Sequence, residues 1–269
     1  MPIIDPLSKR LLCGAGHNGP VSLMYHAITP GTSQPDWPWA LSFKKFCGQL
    51  TLLQDHGWST LCANRLYVDL RTLPAKSVLI TFDDGYADNY QAFEELAKRD
   101  MKATWFVVTQ DIGKMSSWID EGVPSSTLLT ESQLLEMRDA GMEIGSHTLT
   151  HCRLTQVSQQ QMEHETSESK KFLSNLLNQP ITAFAYPYGL YNQDIINAVQ
   201  NAGYKTAFTT RTGFGLVNHN PLEVRRISIM ASDSLATFAR KLAFADNSVG
   251  WKKMTHYSFS RIKDRLKRQ

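Results

Sequence analysis

Segments rich in β-formers alternate with amphipathic helical segments along almost the whole chain, and nothing else in the sequence constrains the fold as much. Strands are expected at 21–28 (VSLMYHAI), 58–62 (WSTLC), 77–82 (SVLITF), 103–109 (ATWFVVT), 142–146 (MEIGS), 181–186 (ITAFAY), 205–210 (KTAFTT) and 224–230 (VRRISIM). A helix starts at Ser42, sets Phe43, Phe46, Leu50 and Leu53 on one face and stops at Gly57. Another is expected within 63–73, and Asn89 to Arg99 puts Tyr90, Phe93, Leu96 and Ala97 in register. Thr130 with Gln133, and Ser158 with Gln161, have the spacing of capping boxes and open helices that run to Gly141 and about Asn178. Asn192 opens a helix stopped at Gly203, Leu235 to Leu242 forms the last one, and 110–129 reads as a loop. Strands separated by helices pair in parallel, so the fold is α/β: either a closed barrel or an open doubly wound sheet. No Gly-x-Gly-x-x-Gly follows a strand, which counts against a dinucleotide-binding sheet.

The chain has 269 residues and is 42% hydrophobic, enough for one large domain, expected over 1–250 with its core at about 20–245. A net charge of +3 gives no reason to expect a nucleic-acid partner. Cys13, Cys47, Cys62 and Cys152 are scattered without a Cys-x-x-Cys pair, which argues against a zinc ribbon or a disulfide framework and for reduced thiols. The first twenty residues hold no signal-peptide core and no run of eighteen apolar residues occurs, so a cytoplasmic protein is expected. Residues 251–269 carry seven Lys and Arg against the single acid Asp264. Such a tail is either a solvated terminus or a basic helix lying on the inner membrane face, with Trp251, Tyr257, Phe259, Ile262 and Leu266 as its apolar side.

The polar residues cluster where strands end. SVLITF runs directly into Asp83, Asp84 and Gly85. Side chains alternate along a strand, so two neighbouring acids serve one site only if the backbone turns there, as glycine permits. Crowded carboxylates repel unless a cation neutralises them. His147 and His151 follow MEIGS, Tyr186-Pro187-Tyr188-Gly189 follows ITAFA, and His26 ends VSLMY. Four strands thus aim functional groups at one rim, the rim that carries active sites in β/α barrels. One Asp and two His would bind a divalent metal and leave positions open, as in a catalytic rather than a structural centre, and the other Asp would be free to act as a base.

The set TFDDG, SHTLTH and YPYG, in this order, resembles the polysaccharide deacetylase (NodB-homology) family, carbohydrate esterase family 4, in the branch that opens with a Met-Tyr-His strand, here Met24-Tyr25-His26. The resemblance covers roughly 20–245. It implies a distorted (β/α)7 TIM-like barrel and a metal-dependent hydrolase that removes the N-acetyl group from an amino sugar in a polysaccharide or glycolipid precursor. It implies Asp83 as catalytic base, and Asp84, His147 and His151 as ligands of one divalent ion. Zinc is the expected ion, with cobalt, nickel and manganese also fitting the ligands. It implies a groove of Pro187 and Tyr188 in which the Tyr188 N–H faces the oxyanion, and His26 as general acid. Tyr186 and Trp118 join these as substrate contacts, Trp118 by stacking on a sugar ring. Two departures stand out. Ala185 occupies the position of an arginine that orients the base elsewhere in the family, with Arg225 or Arg226 as replacements from another strand. The C-terminal Leu-x-Leu-His element is absent, and His256 lies in the basic tail. Deformylation of a lipid-linked amino sugar and a non-catalytic glycan-binding scaffold are the other functions considered. Cys152 and Trp105 are expected to serve packing, and His17, His56, His164 and His219 to be loop or surface residues.

Overall fold

The computed structural model describes residues 4–16, 18–31, 37–67, 72–118, 125–216 and 220–250. His17, His219, His256 and the basic stretch 251–269 lie outside the described residues. Ten strands are described: β1 (Val21–Tyr25), β2 (Ala27–Thr29), β3 (Ala40–Ser42), β4 (Ser59–Leu61), β5 (Ser77–Phe82), β6 (Thr104–Val107), β7 (Glu143–Ser146), β8 (Ala183–Ala185), β9 (Thr206–Phe208) and β10 (Ile227–Ser228). Seven α-helices accompany them: α1 (Pro6–Cys13), α2 (Phe43–Asp55), α3 (Tyr90–Lys98), α4 (Glu131–Asp139), α5 (Gln159–Leu177), α6 (Gln193–Asn201) and α7 (Leu235–Phe244).

The main sheet runs in the order β10-β1-β5-β6-β7-β8-β9, and every pairing in it is parallel. β4 is wedged against the first half of β5, whose second half pairs with β6. The two ends of the path approach each other through 224–228. Val224 bridges Phe208 in parallel, and Ile227 and Ser228 pair with Leu23 and Met24. The sheet therefore curls into the distorted barrel that the resemblance implies, with helices outside. Apart from the half-buried β4, its strands are buried, and β1, β5, β6 and β7 read as unbroken buried runs. The inner face packs Leu79, Phe106, Ala183, Ala185, Phe208 and Val224 into one cluster. Small residues on β7 and β8 make room for the two phenylalanines: a Cβ on Gly145 would lie 2.7 Å from the Phe106 ring. The outer face packs Phe46, Leu50 and Leu53 of α2 and Phe93 and Leu96 of α3 into the larger core.

Several elements differ from the sequence expectations, each for a local reason. The strand expected at 21–28 breaks at His26, and β2 pairs with β3 in a separate two-stranded sheet. Of 224–230 only Ile227–Ser228 is strand, beyond the bridge at Val224. The segment expected to hold a helix within 63–73 forms a 3-10 turn over Ala63–Tyr67, with 68–71 outside the described residues. The Thr130 box is complete in both directions. The Ser158 box is half-formed: Ser158 accepts from the Gln161 N–H, but the Gln161 amide donates to Glu165. α1 was not expected; Asp5 caps it through the Ser8 N–H at 2.9 Å, and Pro6 opens it.

Candidate active site

At the C-terminal rim of the strands lies a cleft of about 270 Å³, lined by Met24, His26, Trp37, Trp39, Asp83, Asp84, Trp118, His147, His151, Tyr186, Tyr188, Gly189 and Thr210. The turn after β5 explains how two neighbouring acids reach it. The Asp83 N–H continues the parallel ladder to the Tyr25 carbonyl at 3.0 Å. Asp84 then takes a φ of 71° and Gly85 one of 84°, so the chain reverses and the alternation of the strand ends. A Cβ on Gly85 would come within 2.9 Å of Val107, so close packing against β6 also excludes a side chain there.

Asp84, His147 and His151 are all buried, and one ligand atom from each can be chosen within 4.8 Å of the others. Asp84 Oδ1 lies 3.4 Å from His147 Nε2 and 3.3 Å from His151 Nε2. Burial works against the Asp84 charge, but hydrogen bonds from the two imidazoles outweigh it and hold the carboxyl well below the usual range. The turn carrying both histidines is built on Glu165 of α5, which accepts from the Leu149 and Thr150 N–H groups and the Thr150 hydroxyl. His147 Nδ1 sits 2.8 Å from the Ala185 carbonyl, which makes Nδ1 the donor and leaves the Nε2 lone pair for a metal. One carboxylate and two imidazoles aimed at one point fit a zinc-like divalent ion with positions left open.

Asp83 is clamped. The Arg226 guanidinium donates to both of its oxygens, Nη1 to Oδ1 at 2.6 Å and Nη2 to Oδ2 at 2.8 Å. Arg226 is itself fully buried, donates further to the Thr81 hydroxyl and the Thr209 carbonyl, and lies over the Phe106 and Phe208 rings. Burial opposes the Asp83 charge, but Arg226, helped by His147 and His26, overcomes it and the carboxyl is lowered. Arg226 thus supplies the cation missing at Ala185, whereas Arg225 turns away to the Thr212 carbonyl. The sequence left both arginines open.

His26 stands across the cleft, against Trp39 at 4.9 Å and Trp37 at 5.9 Å between ring centroids. Its Nδ1 is buried and has no hydrogen-bond partner among the described residues. Burial lowers its pKa, and the charges of Asp84 and Asp83 counter part of that shift. Tyr188 occupies the 3-10 turn after β8 at φ 59° and ψ 3°. Its ring lies 4.7 Å from that of His151, as does the ring of Trp118 on its own side. Pro187 is buried and is not among the lining residues; it shapes the turn rather than the surface. Tyr186 reaches the cleft floor, but its hydroxyl donates to the Leu222 carbonyl at 3.0 Å. Sequence reasoning passed over Trp37 and Trp39; the Trp-Pro-Trp at 37–39 was the available signal for them. Cys152 stands outside the ligand group, with burial pushing its thiol up to about 11. Trp105 stacks on Phe82 in the core, and His164 is exposed.

The family model for polysaccharide deacetylase matches residues 71–207. A Bacillus subtilis (strain 168) protein, YxkH, named after the same family, is 34% identical over 220 residues, covering 80% of this chain and 73% of that one. A poly-β-1,6-N-acetyl-D-glucosamine N-deacetylase of Staphylococcus aureus is 27% identical, covering 71% of this chain and 68% of its own. Among solved structures, the Streptococcus pyogenes deacetylase PplD in complex with acetate is 32% identical, with a TM-score of 0.70 over 80% of this chain and 94% of that one.

Proposed function

Because the chain belongs to the polysaccharide deacetylase family and is therefore a hydrolytic enzyme, we propose that it removes the N-acetyl group from an N-acetylated amino sugar of a glycan or glycolipid, using a divalent metal. The observation that carries this reading is the clamped Asp83 beside the convergent Asp84, His147 and His151. A glycan-binding scaffold has no use for a buried carboxylate held ionised at such a place. A divalent cation held by the three ligands would supply a Lewis acid that polarises the amide carbonyl and makes water acidic near neutral pH.

The chain's own groups do the rest. Asp83, kept anionic by Arg226, accepts the proton of the attacking water. A carboxylate has about four acceptor sites, so two N–H donors do not exhaust it. The Tyr188 N–H serves the developing oxyanion, a role supported by the positive-φ turn that brings this residue to the cleft. His26 delivers a proton to the departing amine, which cannot leave as an anion. The burial that lowers its pKa makes the imidazolium, once formed, a readier donor. Acetate and a free amino sugar result; acetate is what the Streptococcus pyogenes relative holds. Trp37, Trp39, Trp118 and Tyr188 line the cleft with aromatic faces suited to sugar rings. The name of the Staphylococcus aureus relative supports β-1,6-linked N-acetylglucosamine as the first substrate to try. We extend the proposal to action at the inner membrane face, with 251–269 as the contact; an absence of membrane-associated protein on cell fractionation would remove that part.

The test is hydrolysis of a fluorogenic acetyl ester, then acetate release from β-1,6-linked N-acetylglucosamine oligomers, by enzyme as isolated, chelated and zinc-restored. Activity that disappears with chelator and returns with zinc is expected. Undiminished turnover after complete removal of metal would sink the metal-dependent reading. Zinc-bound enzyme that is inert on both substrates would favour the scaffold.

A further inference from the structure

The two histidines of the ligand group are held in different ways. His147 has its Nδ1 fixed on the Ala185 carbonyl, the usual means of orienting a metal-ligating imidazole. His151 Nδ1 is buried and has no hydrogen-bond partner among the described residues. Its backbone is placed, because the His151 N–H donates to the Thr148 hydroxyl at 3.0 Å and the turn rests on Glu165. That fixes the Cα; Nε2 faces Asp84 Oδ1 at 3.3 Å, at the metal position, and the Nδ1 side of the ring is left to packing. The packing is aromatic: the Trp118 and Tyr188 rings both lie 4.7 Å from the His151 ring. Tyr188 in turn carries a cation, since the Arg153 guanidinium carbon sits 3.8 Å from its ring centroid. Arg153 follows His151 by two residues and is half-buried, so the turn that supplies the ligand also supplies this cap.

We propose that Arg153 is a positioning residue for the metal site: by capping the Tyr188 ring it holds that ring against His151 and so orients an imidazole whose Nδ1 has no hydrogen bond to fix it. A guanidinium suits this because it is planar, stays charged and is attracted to an aromatic face. The inference rests on the metal-site reading above, and the two fail in different ways.

The experiment titrates zinc into the metal-free full chain against a fluorescent chelator of known affinity, without substrate. The proteins are the wild type, Arg153→Ala, Arg153→Gln and Arg153→Lys, with the thermal midpoint of each metal-free form recorded alongside. Loss of an outer partner of a ligating histidine weakens metal binding about tenfold or more, so the Ala and Gln variants are expected to lose about tenfold. Lys, which keeps a cation over the ring, is expected to recover most of it, and the metal-free midpoints to stay together. In a Tyr188→Leu background, Arg153→Ala is expected to cost nothing further, because the connection is gone. Equal zinc affinity in all four proteins overturns the proposal, as does an equal loss in the Lys and Gln variants. Should Arg153→Ala fail to fold, the Lys–Gln comparison decides alone. A wild type that binds no zinc would overturn the metal site itself and the proposal with it.

Discussion

Arg226→Met is the perturbation with the largest expected effect. The side chain it removes is wholly buried and binds both oxygens of Asp83, the Thr81 hydroxyl and the Thr209 carbonyl. Methionine replaces most of the volume between Phe106 and Phe208, so cavity formation is a small part of the cost. The main part is a buried carboxylate left without its cation, about 3–5 kcal/mol when one partner of a buried pair is removed. A domain with a total stability of about 5–15 kcal/mol survives that loss, with little margin. The sign with pH follows from the direction of the shift. In the wild type the Asp83 carboxyl lies below its ordinary 3.8, so the stability it contributes is present above 3.8 and is lost as pH falls through the lower folded value. Without Arg226 burial is opposed by His147 and His26 alone, and the carboxyl is expected to move up. The variant then loses stability as pH rises past 3.8, while the wild type does not. Urea unfolding at pH 5 and pH 8 should therefore give the larger difference at pH 8. Turnover runs the other way. A base that holds its proton is silent, so activity at neutral pH should fall by about 10²-fold or more, the usual contribution of a general base. Part of it should return as pH rises and the carboxyl ionises. A variant with wild-type stability at pH 8 and an unchanged pH–rate profile would refute the account of Arg226 as the clamp that keeps the base charged.

Three further outcomes are expected. Ala185→Arg should destabilise the wild type, because a second cation enters a filled barrel, yet restore stability and turnover when combined with Arg226→Ala; additive losses in the double-mutant cycle would show that the two positions do not share Asp83. Asp83→Asn should lower turnover by about 10²–10⁴-fold while zinc stoichiometry stays at the wild-type value, and loss of bound zinc would place Asp83 among the ligands. Glu143, buried at the opposite rim with its carboxyl pushed by burial up to about 7 from 4.5, should make the wild type less stable as pH rises from 4.5 to 7. Each unit is worth about 1.4 kcal/mol, so going from pH 5 to pH 8 should shift the comparison by about 2–3 kcal/mol in favour of Glu143→Gln, measured by urea unfolding; parallel pH profiles would exclude it.

The sequence was most informative where one kind of residue had only one use. Two acids and a glycine at the end of a buried strand, and two histidines spaced around a turn, have little purpose outside a site, and the structure brings them to one cleft. Where a segment had two uses, the pattern gave only the average. VSLMYHAI is continuous in β-propensity, yet His26 faces the cleft, and the chain departs there to pair with Ala40–Ser42. VRRISIM looks like a long strand, but only two of its residues pair as strand, and Arg226 turns inward to Asp83. No local signal separates Arg225 from Arg226, because the choice depends on where β5, the next strand but one, places its acid. Gln161 had the spacing for a reciprocal cap, but Glu165, four residues on, took its amide. The tryptophans at 37 and 39 sit in a short irregular stretch, where periodicity says nothing.

The pairing of Asp83 with Arg226 joins positions 143 apart along the chain, and the element that unites them is β1, bonded to β5 on one side and β10 on the other. The matched family core, 71–207, contains Asp83, Asp84, His147 and His151 but neither His26 nor Arg226. During synthesis Asp84, His147 and His151 have their supports, Glu165 and the Ala185 carbonyl, only once residue 185 has emerged, and the Arg226 guanidinium follows later still. Contacts this distant in sequence form late. A chain that stops short of Arg226 therefore holds Asp84, His147 and His151 but lacks the bidentate clamp on Asp83. Closure of the ring is thus the step that joins the two halves of the site, which the chain makes far apart in time.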